Sequence, residues 1–177
     1  MGKLPGMPTT LVLGAAIKAE ADAELKYWVD NDCSEVVENG GPCVLRIHQE
    51  FGNPAFVAWC AQFGWMCVNR ATAKLGITNK LPQLAGAANM LAASKKVLPV
   101  SKTPAVGALM YRKSSEGTGH IGVVVEVDAK GFHTIEGNAG DKVAYVYYTT
   151  KKIKSQGMSF IHAEMMSFLD RRSPGWT

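Results

Sequence analysis

The apolar residues change period part-way along the chain, and that change limits the fold more than any other feature. In the first half they recur at helical spacing: Ile17, Ala21, Leu25 and Trp28 fall at i, i+4, i+8 and i+11 on one stripe, while Asp22 and Lys26 can pair on the other side. Thr9 and Thr10 can cap this helix, predicted over 10–29. Asn39-Gly40-Gly41-Pro42 breaks the chain, 44–51 reads as a short helix, and Gly52-Asn53-Pro54 breaks it again. Two further helices are predicted over 58–74 and 83–96. From there the runs shorten: 108–112, 120–127, 132–136, 143–149 and 158–162 are rich in Val, Ile, Tyr and Phe, separated by Gly, Ser, Asp and Lys clusters. Helices first and then an antiparallel sheet is the α+β arrangement, with the N-terminal helices packed on the sheet.

A chain of 177 residues buries ~70% of its unfolded surface on folding, so it needs neither a metal nor a disulfide to hold its core. With 47% hydrophobic and 19% charged residues it is neither disordered nor fibrous. The net charge of +4 comes from Lys and Arg scattered singly or in pairs, too dispersed to follow a phosphate backbone, so nucleic acid is not expected as a partner. A mild positive balance suits an anionic polymer, although solvated surface lysines account for most of it. No run of 18 apolar residues exists, so no membrane insertion is expected. The apolar stretch 11–17 follows Pro5 and Pro8 and runs into Lys18-Ala19-Glu20-Ala21-Asp22, which reads as amphipathic helix rather than a classical export signal. Without repeats or a low-complexity linker, the reading is one domain over 1–177, and a monomer.

Cys33, Cys43, Cys60 and Cys67 show no Cys-x-x-Cys pair and no histidine at zinc-finger distance. Cys33 and Cys43 flank a loop and can pair in an oxidising compartment, but two free thiols are the default for a chain made in a reducing cytosol. Cys67 reads as a buried packing residue.

Cys60 stands at the start of the third helix, in Trp59-Cys60-Ala61-Gln62-Phe63. There the unpaired N–H groups and the positive helix end push a thiol toward thiolate, and the same groups can hold an oxyanion. His120 lies at the mouth of an apolar strand between Gly119 and Gly122, with room for another element to approach its ring. His48, His133 and His162 read as satisfied structural histidines. Asp128-Ala129-Lys130-Gly131 has the pattern of a three-residue hairpin loop with a left-handed glycine. That loop pairs 128 with 132, hence 124 with 136, 122 with 138 and 120 with 140. His120, Glu136 and Asn138 then share a face, with Asn138 diagonal to the histidine at about 7–8 Å and Glu136 one pair further off. Cys60, His120 and an orienting group from Asn138 or Glu136 follow the plan of covalent acyl transfer, nucleophile, base and base-orienting partner, with Asn138 expected nearer.

At these residues the chain resembles the CHAP family of cysteine- and histidine-dependent amidohydrolases/peptidases, a branch of the papain-like peptidases. The matching stretches are 35–42 with its Asn-Gly-Gly-Pro, Ala58-Trp59-Cys60-Ala61-Gln62-Phe63, Gly119-His120-Ile121-Gly122-Val123-Val124 and Thr134-Ile135-Glu136-Gly137-Asn138, within a core over about 30–150. The resemblance implies a papain-like fold that cuts amide bonds of bacterial peptidoglycan, as amidase or endopeptidase, most often in phage lysins and wall-remodelling enzymes. It implies Cys60 as nucleophile, His120 as base, and Glu136 or Asn138 as the group orienting His120. Calcium-binding members use acidic residues near the nucleophile; 51–57 has none, so no metal or cofactor is carried over. A cytoplasmic product without a signal peptide would reach the wall or periplasm through a holin, by injection, or on a phage particle. The competing readings are a papain-like amidase acting on a small non-wall amide, and a non-catalytic wall-binding or virion structural protein.

Overall fold

The computed structural model describes residues 9–53, 56–114 and 118–167. The first helix, α1 (Thr9–Asp30), buries Leu13, Ile17, Ala21 and Trp28, the expected stripe extended by one turn, and leaves Leu25 partly covered. Its i,i+4 ion pairs are Lys18–Asp22 and Lys26–Asp30, each at 2.5 Å, so Asp22 takes the lysine one turn before it rather than Lys26. The capping expected of Thr9 and Thr10 lies outside the described side chains. Helix α2 (Pro42–Phe51) starts on a proline, whose missing N–H costs nothing there, and α3 (Cys60–Leu75) follows. Both end on a left-handed glycine, Gly52 and Gly76, whose N–H turns back to the last carbonyls. Helix α4 (Ala87–Ser94) is shorter than the predicted 83–96, because Ala85 and Gly86 bend the chain before it.

Among the described residues six strands follow: β1 (Val100–Ser101), β2 (Leu109–Arg112), β3 (His120–Val127), β4 (Gly131–Glu136), β5 (Ala144–Thr149) and β6 (Ser159–Ile161). They form one sheet of order β1-β6-β2-β3-β4-β5 with every neighbouring pair antiparallel. The five expected strands are all present. The short β1 is added at the edge, and a one-and-a-half-turn helix α5 (Thr150–Ser155) joins β5 to β6. No residue of α5 is fully buried, so no apolar stripe marked it in the sequence.

Helices α1 to α4 lie on one face of the sheet, where Ile17, Trp28, Phe63, Met66 and Val68 meet Leu109, Ile121, Val123 and Ile135. A smaller cluster on the other face joins Met110, Val124, Phe132, Tyr148 and Phe160, with Ile153 of α5 against it. Residues 120–125 of β3 are therefore buried on both faces, which is why that strand reads as an unbroken apolar run. Cys33 and Cys43 are joined in a disulfide, against the expectation of two free thiols. The loop between α1 and α2 folds back through left-handed Asn39 and brings the two Cα atoms to 6.0 Å, within the span a disulfide bridges.

Candidate functional site

The site forms where the start of α3 meets the start of β3. Cys60 is the first residue of its helix and His120 the first of its strand, and packing of α3 on β3 sets the two side chains side by side, close enough for the imidazole to act on the thiol. The backbone N–H groups of Ile121 and Ala61 also reach the sulfur. Cys60 is 5% exposed, and burial on its own raises a thiol's pKa. The bond to His120, the imidazolium charge and the two N–H groups outweigh that burial and hold Cys60 below the ordinary thiol range.

His120 Nε2 lies 2.8 Å from Glu136 Oε2, which leaves Nδ1 for the sulfur. Burial works against a charged ring, yet the bonds to Cys60 and Glu136 prevail and raise the His120 pKa to about 9. Glu136 is 1% exposed. Its burial favours the neutral acid, but the bond and charge of His120, followed by bonds from Thr134 and Tyr148, keep it below the usual carboxylate range. Thr134 Oγ1 donates to Glu136 Oε1 at 2.6 Å. Burial and the neighbouring Glu136 charge push the Tyr148 phenol up to about 12, so it stays a donor. The row of Cys60, His120 and Glu136 thus favours charge on all three groups, with the thiol and the carboxyl pushed down and the imidazole pushed up. Cys67, on the same helix, is fully buried and its pKa is raised, first by burial.

The hairpin register differs from the one expected. Val127 pairs with Phe132, so the loop has four residues, closed by Asp128 Oδ1, which accepts the N–H groups of Lys130 at 2.6 Å and Gly131 at 2.8 Å. Gly131 is not left-handed. A bulge at Val125 then shifts the pairing again, so that Val124 meets Thr134 rather than Glu136. One slip would have turned Glu136 to the opposite face; two restore the face and bring Glu136 one pair closer to His120. Gly122 makes this possible, since a Cβ there would lie 2.6 Å from Glu136 Cγ.

The expectation that Asn138 is the nearer partner of His120 is therefore corrected: Glu136 holds the ring. Asn138 lies beyond the end of β4 in a left-handed conformation (φ 56°), and its Nδ2 donates to Asn39 Oδ1 at 3.0 Å. Of the four residues singled out, the structure brings Cys60, His120 and Glu136 together and turns Asn138 toward the loop before α2. The sequence reading missed Thr134 and Tyr148. Thr134, two residues before Glu136 on one strand face, carried a signal of period two; Tyr148 needed the β4–β5 pairing. His48 bridges Gln62 Oε1 at 2.8 Å and the Asn39 carbonyl at 3.0 Å, and His162 bridges Ser101 and Glu164, each at 2.7 Å, both as structural histidines.

Among the described residues no group of three or more His, Cys, Asp or Glu is placed to hold a metal ion, and no helix is long and apolar enough to cross a membrane.

Residues 52–138, which contain Cys60, His120 and Glu136, match the CHAP domain model. No match was found among curated proteins. Two solved structures are similar in part. An N-acetylmuramoyl-L-alanine amidase from Staphylococcus aureus shares 17% identity at a TM-score of 0.48, over 59% of this chain and 30% of the amidase. The protein Ly7917 shares 14% identity at a TM-score of 0.45, over 84% of this chain and 62% of that one. The chain thus spans under a third of the first and under two thirds of the second.

Proposed function

We propose that this chain, which carries a CHAP domain over residues 52–138, is a peptidoglycan hydrolase that cuts an amide bond through Cys60 and His120. The observation that carries the reading is the single imidazole of His120, set beside the Cys60 thiol and held from its other side by Glu136 at 2.8 Å. A thiol whose pKa is lowered by its neighbours is the more readily ionised and so the better nucleophile.

In the proposed reaction the Cys60 thiolate attacks the carbonyl carbon of the amide. Backbone N–H groups in the first turn of α3 are the donors proposed for the oxygen as it becomes an oxyanion. The His120 imidazolium gives its proton to the departing amine, and the carbon–nitrogen bond breaks to leave a thioester on Cys60. Neutral His120 then takes a proton from water, whose oxygen attacks the thioester. The acid leaves, and the thiolate and imidazolium are restored. Glu136 keeps the ring oriented and its charge favours the imidazolium throughout. The net charge of +4 suits an anionic wall polymer.

Purified sacculi incubated with the protein and with Cys60→Ala test the reading, with released fragments weighed by mass spectrometry. The expected result is a new amine and carboxyl pair at one amide, between muramic acid and the stem peptide or within the stem, and none with Cys60→Ala. Comparable release by the alanine variant would remove Cys60 from the mechanism.

A further inference from the structure

The loop between α1 and α2 touches the site at three separate places. Its Glu35 Oε1 accepts the indole N–H of Trp59 at 2.6 Å. Trp59 is the residue directly before Cys60, fully buried and stacked on Trp28 with ring centroids 5.1 Å apart. The second oxygen of Glu35 accepts the backbone N–H of Asn39 at 2.9 Å. Asn39 in turn accepts from Asn138, two residues past Glu136, through its side chain. Its carbonyl meets His48, which also holds Gln62 in the first turn of α3. The Cys33–Cys43 disulfide closes this loop onto α2, and the Glu35 N–H is bound to the Asp141 carbonyl at 2.9 Å. One short segment therefore grips the residue before the nucleophile, the helix that carries it, and the chain that leaves Glu136.

We propose that Glu35 is a positioning residue for Cys60, acting through Trp59 from a loop that the Cys33–Cys43 bridge holds closed. Trp59 is one peptide unit from the sulfur-bearing residue, and α3 has no side-chain cap of its own. The indole bond to Glu35 thus sets where the helix begins and how Cys60 meets His120. The inference rests on Cys60 being the nucleophile. A displacement of about 1 Å at a reacting group costs up to roughly 10²-fold in rate, so losing this grip is visible without unfolding.

The test reads the alkylation rate of Cys60 by iodoacetamide near neutral pH, site by site in a mass spectrometer, with melting temperature followed in parallel. Glu35→Ala should lower the rate roughly tenfold. Glu35→Gln, which keeps an acceptor oxygen for the indole, should recover most of it. Trp59→Phe removes the indole N–H while keeping an aromatic ring against Trp28 and should reproduce the loss; the double variant with Glu35→Ala should be no worse than either alone. Cys33→Ser with Cys43→Ser should change the rate in the same direction. A folded Glu35→Ala with wild-type reactivity, or losses that add in the double variant, would overturn the proposal. Should Glu35→Ala not fold, Trp59→Phe decides alone, and an unchanged rate sinks it. If wild-type Cys60 itself reacts no faster than an ordinary thiol, it is the nucleophile reading that has failed, whatever the variants do.

Discussion

In the proposed mechanism His120 is the residue on which the chemistry turns, because it must be a cation while Cys60 is an anion. The ion pair exists between the lowered pKa of the thiol and the raised pKa of the imidazole. Turnover should therefore rise with pH along a limb below the ordinary thiol range and fall along an alkaline limb near 9, where His120 loses its proton. Glu136 is a cause of the upper limit. Glu136→Gln removes a negative charge from beside the imidazolium, so the His120 pKa drops and the alkaline limb moves toward neutral. Turnover itself should fall by roughly 10²-fold or more as the ring loses its fixed orientation. The pH profile of kcat/KM on soluble wall fragments checks this, and an unmoved alkaline limb would show that Glu136 does not govern His120.

At the scale of elements, the readable and unreadable parts of the site separate at the β3–β4 hairpin. Cys60 and His120 were legible because each opens an element, and element starts are marked by local signals: a break at Gly52-Asn53 and an apolar run after Gly119. Glu136 shares a face with His120, as expected, only because two unread slips in register cancel. Which residue bonds the ring was not legible, because it depends on two events without a strong local mark. Asp128 satisfies two N–H groups in a four-residue loop, and Val125 bulges out of register. The disulfide escaped for a related reason, as only the folded loop shows that Cys33 and Cys43 come within reach. The register can be tested at Gly122. An added Cβ would lie 2.6 Å from Glu136 Cγ, and Thr134 and Tyr148 tether that side chain, so Gly122→Ala should drive the carboxylate off His120. Lower turnover with the alkaline limb shifted in the same direction as in Glu136→Gln is expected. A normal profile would mean that the carboxylate yields without leaving the ring.

Across the whole molecule, the site depends on α3 being held at a fixed depth over the sheet, and an ion cluster among the helices does much of this. Buried Glu24 of α1 accepts from Arg46 of α2, from Arg70 of α3 at 2.9 Å and from the Trp28 indole at 3.2 Å, while Arg70 also holds Glu50. The arginine side chains remain 32% and 24% exposed, so water softens their loss. Glu24→Ala should cost about 2 kcal/mol, below the ~3–5 kcal/mol of a fully buried pair, measured as a shift in urea midpoint at unchanged slope. A change within about 0.5 kcal/mol would mean that apolar packing alone seats the helices. What the seating achieves is contact between one thiol and one imidazole, and the most direct test is the pH dependence of Cys60 alkylation in the wild type and in His120→Ala. The wild type should react as a thiolate well below the ordinary thiol range while buried Cys67 stays unmodified, and His120→Ala should push the Cys60 curve up toward that range. A wild-type Cys60 that becomes reactive only where free thiols ionise, or a curve indifferent to the loss of His120, would contradict the ion pair and the mechanism built on it.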